Sequence, residues 1–287
     1  VTLLVVLCAS LAVLGVTGAS TAGAVDTPTY FYLDLGGSAS VGFQPTPTDP
    51  RGEPTSSGYS NDIVTYEAAR GLNLHLTELG CPGETITTMF YGGRCYPPGD
   101  SQLQEASSFL YSHFNDTGFV TLDLGFNDVH PCLANETVDE TCVQNQLNAI
   151  AVELPVILKV LQSAAGPRVS FIALDHYDPY LAYEAFDPSA AAFASKASDV
   201  ITRLNILLDQ IYLSAGVPVA QVDTAFQSQN FSRSRLKGVG EVPRNVLTAC
   251  ELTWMCQSAP VGHDLHPNNA GYAVIARAIE KVLPPPF

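Results

Sequence analysis

The sequence predicts a three-layer α/β/α domain built on a five-stranded parallel sheet. Five short runs rich in aromatic, β-branched or leucine residues alternate with segments of helical spacing. Strand alternating with helix is the pattern of a parallel sheet covered on both faces. The 287 residues, 46% of them hydrophobic, are enough for a large core. No internal repeat and no dividing linker interrupts the alternation, so residues 25–287 are expected to form one domain.

Residues 1–24 carry no charged side chain, run apolar from Leu3 to Val16 and end in Ala22-Gly23-Ala24. An apolar stretch followed by an A-x-A site reads as a secretory signal peptide removed after Ala24. The competing reading is a transmembrane anchor, for which the run is short. Residues 30–35 (Tyr-Phe-Tyr-Leu-Asp-Leu) form the first strand, broken by Gly36 and Gly37 into a turn that presents Ser38. A loop rich in Pro, Gly, Thr and Ser covers 41–60, and helical spacing follows from about 61 to 70, with Gly71 as the stop. Leu72, Leu74 and Leu76 alternate with polar residues as a second strand that runs into a turn at 80–85. Ser101 and Gln104 have capping-box spacing and predict a helix to about His113. The third strand is 119–124, ended by Gly125-Phe126-Asn127-Asp128. A long helix over 138–165, with Pro155 as a possible bend, leads to a fourth strand at 169–174. A helix at 188–215, a fifth strand at 218–222, an irregular stretch at 223–265 and a closing helix after His266-Pro267-Asn268 complete the chain.

Charge narrows the function classes. Against 28 acidic residues stand 13 Lys and Arg, a formal net charge of −15. Nucleic-acid partners require a basic face and are not expected; neither is stable membrane insertion or attachment to anionic lipid. Cys8 lies in the segment expected to be removed, which leaves Cys81, Cys95, Cys132, Cys142, Cys250 and Cys256. An even number in an exported chain suggests three disulfides. Six cysteines allow 15 connectivities, and their local grouping favours 81 with 95, 132 with 142 and 250 with 256. No C-x-x-C or H-E-x-x-H occurs, so no metal site is expected.

In an open parallel sheet, ligands bind beyond the carboxyl ends of the strands. Ser38, Gly83 and Asn127 follow the first, second and third strands, so all three belong on that edge. A serine hydroxyl needs a base to become a nucleophile, and an acyl-transfer intermediate needs donors aimed at its oxyanion. Backbone amides of a glycine turn and an Asn side chain suit the second need; His266, just before the last helix, suits the first.

These four blocks resemble the SGNH (GDSL-type) hydrolases, in particular their secreted actinobacterial esterase and lipase branch, over essentially all of the mature chain. Leu35-Gly36-Gly37-Ser38-Ala39-Ser40 is similar to the nucleophile block, Gly80-Cys81-Pro82-Gly83-Glu84-Thr85 to the second, Gly125-Phe126-Asn127-Asp128 to the G-x-N-D block, and His266-Pro267-Asn268-Asn269-Ala270-Gly271-Tyr272 to the block that carries the base. The resemblance implies a flavodoxin-like SGNH fold, Ser38 as nucleophile, His266 as base, and an oxyanion hole of the Ser38 and Gly83 amides with Asn127. It implies no cofactor, an acyl ester substrate, small or polymer-borne, and a monomeric extracellular enzyme. Two positions depart from the family. Gly37 replaces the aspartate that usually precedes the nucleophile, and D-x-x-H is His263-Asp264-Leu265-His266. Either Asp264 or a backbone carbonyl near His263 orients the base.

Other residues have plainer readings. His75, His113, His130 and His176 are scattered near element ends and read as structural or solvated, and Asp34, Asp123 and Asp175 as turn or cap residues. Tyr177 and Tyr180 either wall a substrate pocket or pack in the core. Two other functions fit the same sequence: a glycosidase with paired carboxylates, and an inactive carbohydrate- or wall-binding protein on this scaffold.

Overall fold

Residues 29–97 and 99–284 are described in a computed structural model of the chain; the expected signal segment at 1–24, with Cys8, lies outside them. The central sheet contains β1 (Thr29–Gly36), β2 (Asn73–Glu78), β3 (Thr117–Asp123), β4 (Ser170–Leu174) and β5 (Val219–Ala220) in the order β2-β1-β3-β4-β5, all parallel. Between and after these strands run α1 (Tyr59–Ala69), α2 (Ile86–Tyr91), α3 (Gln102–Ser112), α4 (Phe126–Val129), α5 (Glu140–Ala164), α6 (Tyr183–Phe186), α7 (Ala191–Ser214), α8 (Val222–Ala225), α9 (Arg244–Leu252) and α10 (Asn269–Glu280). Two small antiparallel ribbons, β6 (Arg233–Leu236) with β7 (Gly240–Pro243) and β8 (Thr253–Trp254) with β9 (Asp264–Pro267), lie outside the main sheet.

Strand period sorts the core into two layers, because successive side chains point to opposite faces of the sheet. Leu33, Leu35, Val120, Leu122, Phe171 and Ala173 pack against α2, α3, α5 and α7. Tyr32, Phe119, Ile172 and Leu174 face the other way, onto α1 and α10. A third cluster joins Leu181 and Ala182 to Val242, Val246 and Met255, and Leu265 packs on it. The three-layer sandwich expected from the sequence is thus present. Its strand order reverses between β1 and β3, which puts the crevice favoured by ligands where Ser38 and Asn127 emerge.

Three local expectations are corrected and one helix is added. The turn expected at 80–85 is present, and directly after it Thr85 and Thr88 form a reciprocal capping box that starts α2, a helix not expected from the sequence. Ser101 accepts from the Gln104 amide at 3.2 Å and caps α3 by that bond, while the Gln104 side chain does not complete a box. The fifth strand is two residues long, because the Asp175 carboxylate accepts from the amides of Val222 and Asp223 and turns the chain into α8. The stretch 223–265 holds α8, β6, β7, α9 and β8, whose short elements no periodicity announces. Pro155 lies inside α5, which is helical on both sides of it.

Candidate active site

Ser38 stands two residues past the end of β1, with φ −69° and ψ −32°. The turn before it depends on glycine. Gly36 has φ +140°, and a Cβ there would lie 2.2 Å from the Asp123 carbonyl oxygen on β3. Gly37 N donates to that same oxygen at 3.0 Å. Behind the turn, the buried amide of Gln102 takes both backbone groups of Gly36: Oε1 accepts from its N–H at 2.8 Å and Nε2 donates to its carbonyl at 3.0 Å. Nε2 also reaches the Glu84 carboxylate at 3.0 Å, tying the second block to the first. Sequence reasoning missed Gln102, since a glutamine in the first turn of a helix reads as an ordinary helix former.

His266 reaches Ser38 from β9. Its Nε2 lies 2.8 Å from Ser38 Oγ, and its Nδ1 lies 2.8 Å from Asp264 Oδ1. The carboxylate also accepts from the His266 backbone N–H at 2.9 Å. The i, i+2 spacing explains this. Alternate residues of a strand share a face, so the D-x-H arrangement brings Asp264 alongside the imidazole. Of the two orienters left open by the sequence, the structure puts the Asp264 carboxylate at the ring.

Neighbouring segments hold this strand. β8 pairs with it through Thr253–Pro267 and Trp254–Asp264. The Tyr177 hydroxyl donates to the Leu265 carbonyl at 3.0 Å. His263 bonds through Nδ1 to the Met255 carbonyl and stacks on Phe186, with ring centroids 3.8 Å apart. Asn268 caps α10 by accepting from the amides of Ala270 and Gly271 at 2.9 and 3.1 Å.

Asn127 sits in α4, which begins at Gly125 with φ +111°. Its Nδ2 lies 2.7 Å from the point a Cβ on Gly37 would occupy, so the absence of a side chain at 37 is what lets the amide approach the nucleophile turn. The same point is 4.0 Å from the Glu84 carbonyl, which brings the second block alongside. Gly83 has φ +81° and is covered by the Arg94 guanidinium, whose Nε donates to the Pro82 carbonyl at 2.6 Å. Asp128 links the third block to the second: both carboxylate oxygens lie 3.1 Å from the Ile86 N–H at the start of α2. Burial pushes its carboxyl up to about 7.

A small cavity of about 90 Å³ opens at these residues, lined by Ser38, Asn127 and His266 with Asp123, Phe126 and Tyr177, and by Gly125, His130, His176 and Leu265 beside them. Gly83 and Tyr180 do not line it. Tyr180 is buried one layer back, where its hydroxyl meets His130 Nδ1 at 2.6 Å. Of the two tyrosines singled out from the sequence, only Tyr177 faces the cavity. His130 and His176, read as structural or solvated, are cavity residues. Burial lowers the His130 pKa, and a nearby His266 charge adds to this. Asp123, read as a turn residue, also lines the cavity; burial raises its pKa, opposed by His176 and His266. Asp34 is neither cap nor site residue: it lies in the core and accepts from Tyr59 at 2.8 Å and Thr121 at 2.6 Å. Among the described residues, no cluster of three or more His, Cys, Asp or Glu could hold a metal ion.

The six cysteines pair as 81–95, 132–142 and 250–256, with Cα separations of 5.8, 5.5 and 5.0 Å. Each bridge flanks a site block. The first closes the loop after Gly83, the second ties the segment after Asn127 to α5, and the third ties α9 to the ribbon that carries His266.

No protein-family model matches the chain. No curated protein matches it either. Among solved structures it is similar to a phospholipase A1 from Streptomyces albidoflavus NA297, with a TM-score of 0.55 and 16% identity over 88% of this chain and 98% of the other. It is similar also to an extracellular lipase from Streptomyces rimosus, with a TM-score of 0.53 and 17% identity over 88% and 99% of the two chains. With this strand order, these two helical layers and these likenesses, the chain has the three-layer α/β/α fold of the SGNH hydrolases.

Proposed function

We propose that the protein is an exported serine ester hydrolase of the SGNH type. One observation carries the reading: Ser38 Oγ, His266 and Asp264 form a continuous line of two 2.8 Å contacts at the mouth of a small cavity. His266 Nε2 takes the Ser38 proton as Oγ bonds to the ester carbonyl carbon, and the resulting oxyanion is held by the Ser38 amide with Asn127 Nδ2, while the Gly83 amide expected beside them lies outside the cavity lining. The imidazolium, steadied by Asp264, returns the proton to the departing alcohol. Water then enters and gives a proton to His266 as its oxygen bonds to the acyl carbon, and His266 passes that proton to Ser38 Oγ as the acyl–Oγ bond breaks and the acid leaves. Every proton in this cycle moves among Ser38, His266, substrate and water, so no cofactor enters it.

The similar structures, named as a phospholipase A1 and an extracellular lipase, support an acyl ester as substrate and export as destination. Three disulfides and the signal-like segment at 1–24 support export as well. The test is hydrolysis of an acyl-ester chain-length series together with labelling by a serine-reactive phosphonate. Wild type is expected to turn over short acyl esters and to be labelled; Ser38→Ala is expected to do neither while keeping the wild-type circular dichroism. Hydrolysis retained in Ser38→Ala removes Ser38 from the mechanism, and a folded wild type inert to every ester favours a binding protein.

A further inference from the structure

Asp123 is set apart from the buried aspartates Asp34, Asp128, Asp175 and Asp178. In that order, these each accept at least one hydrogen bond, from Tyr59 and Thr121, from the Ile86 amide, from the Val222 and Asp223 amides, and from the Tyr180 amide. Asp123 ends β3 opposite Gly36, and its backbone oxygen is engaged by Gly37 N. Its carboxyl, only 10% exposed, lines the cavity that holds Ser38 and His266. Among the described residues its carboxylate accepts no hydrogen bond, and its one ion-pair contact, with His176 Nδ1 at 3.6 Å, is longer than a hydrogen bond. That contact supplies no donor when the ring is neutral. His176 Nε2 lies 2.9 Å from the Leu124 carbonyl, which can only accept, so the ring hydrogen belongs on Nε2 and Nδ1 carries a lone pair. Two other polar groups of the wall are engaged away from Asp123, the Tyr177 hydroxyl on the Leu265 carbonyl and His130 Nδ1 on Tyr180.

A buried acceptor without a donor, beside a nucleophile, is costly once substrate displaces water from it. We propose that Asp123 is a specificity-determining residue, which accepts a hydrogen bond from a hydroxyl on the acyl group and selects short hydroxyacyl esters over their unsubstituted counterparts. The inference rests on the hydrolase reading and deepens it. Cavity size limits the acyl group to a few heavy atoms, and beside the aromatic faces of Phe126 and Tyr177 the Asp123 carboxylate is the acidic acceptor in the lining. A site built to bond a substrate hydroxyl discriminates against the analogue that lacks it far more strongly than a greasy pocket discriminates a methylene.

The experiment compares kcat/KM for phenyl glycolate (2-hydroxyacetate), phenyl acetate and phenyl glycinate in wild type, Asp123→Asn and Asp123→Leu. Wild type is expected to favour glycolate over acetate by roughly tenfold or more. Asp123→Asn, which keeps an acceptor oxygen, is expected to retain most of that ratio, and Asp123→Leu to bring it to about one. An unchanged ratio in Asp123→Leu overturns the proposal, as does a parallel loss on both esters at constant ratio, which would make Asp123 a structural or electrostatic support for His266. A preference for glycinate over glycolate overturns the hydroxyl assignment. Should Asp123→Leu not fold, Asp123→Ala takes its place against Asp123→Asn, with the same criterion. If wild type turns over none of the esters, the hydrolase reading fails by itself. Ligand-observed NMR of glycolamide against acetamide on Ser38→Ala then decides this inference, and equal binding overturns it.

Discussion

Ser38 is carried on a turn fused to the central sheet, whereas His266 rides on a two-residue-deep ribbon at the sheet's margin. The nucleophile turn is held at its backbone: Gly36 packs against the Asp123 carbonyl, Gly37 N donates to the same oxygen, and the Gln102 side-chain amide engages both polar groups of Gly36. The base is held by side chains and a crosslink: Asp264, Tyr177, His263 on Met255 and Phe186, and the Cys250–Cys256 bridge. The difference teaches where each half of the site is vulnerable. Backbone contacts tolerate almost no added atom, and beside the Gln102 amide they leave few functional groups to delete. Side-chain contacts can be removed singly, with graded loss of alignment, and this separates them experimentally.

The largest effect on the base side is expected from Asp264→Asn. An amide at 264 can turn its NH2 toward Nδ1 and so favour the ring tautomer that cannot accept the Ser38 proton. A loss in kcat of about 10⁴-fold is expected with little change in KM or in unfolding temperature. A loss below about tenfold would mean that the ribbon orients His266 without the carboxylate, contrary to the two bonds that Asp264 Oδ1 makes.

On the nucleophile side the sharpest test is Gly37→Asp, which installs the residue the family usually carries. In this chain the new Cβ would fall 2.7 Å from Asn127 Nδ2, closer than two such atoms pack. The flexible partner is the Asn127 amide, so it should be displaced from the oxyanion position. Loss of one oxyanion donor costs about 10²–10³-fold in kcat. Stability should barely move, because the side chain yields and the backbone does not. Unchanged or higher activity would show that Asn127 has room to serve from another rotamer, and that the backbone-built half is less exacting than its contacts suggest.

Much of this division was legible beforehand, and for reasons that can be stated. The sheet, its five strands and the four blocks follow from local signals: hydrophobic period, glycines at turns, and the family's motifs in order. Cys pairing followed local spacing and matches the three bridges. Gln102 and Asp123 were missed because their importance lies in long-range geometry. Gln102 is 66 residues from the Gly36 it braces, and no period or motif marks such a partner. Asp123 looks like any strand-end aspartate until its carboxylate is seen to line the cavity without a hydrogen-bonding side chain of its own. Tyr180 failed as a cavity residue because the short 3-10 turn at Pro179–Ala182 buries it behind His130, a placement that spacing from the strand end does not predict.

Removing the ribbon's crosslink should cost less than either substitution above. Cys250→Ser with Cys256→Ser frees a loop with a sequence separation of 6, which loop-closure entropy values at about 2 kcal/mol. The strands of the main sheet do not pass through this bridge. Activity is therefore expected to decline at a lower temperature than the global unfolding transition, as the ribbon loosens first. Coincident loss of activity and structure would show that the ribbon and the sheet unfold as one unit and would erase the distinction between the two regions.

The smallest expected effect separates a strut from a substrate wall. Tyr177 does both things by position: its ring lines the cavity and stacks on Phe226 at 4.6 Å, while its hydroxyl supports the Leu265 carbonyl next to His266. Tyr177→Phe keeps the ring and deletes only the strut. A hydrogen bond of this kind contributes about 1 kcal/mol, so a fall in kcat of roughly fivefold is expected if the bond aligns the base. KM should hold, since the apolar wall is intact. A rise in KM with kcat unchanged would instead assign the hydroxyl to the substrate, and the ribbon would then owe its alignment to Asp264 and the His263 contacts alone.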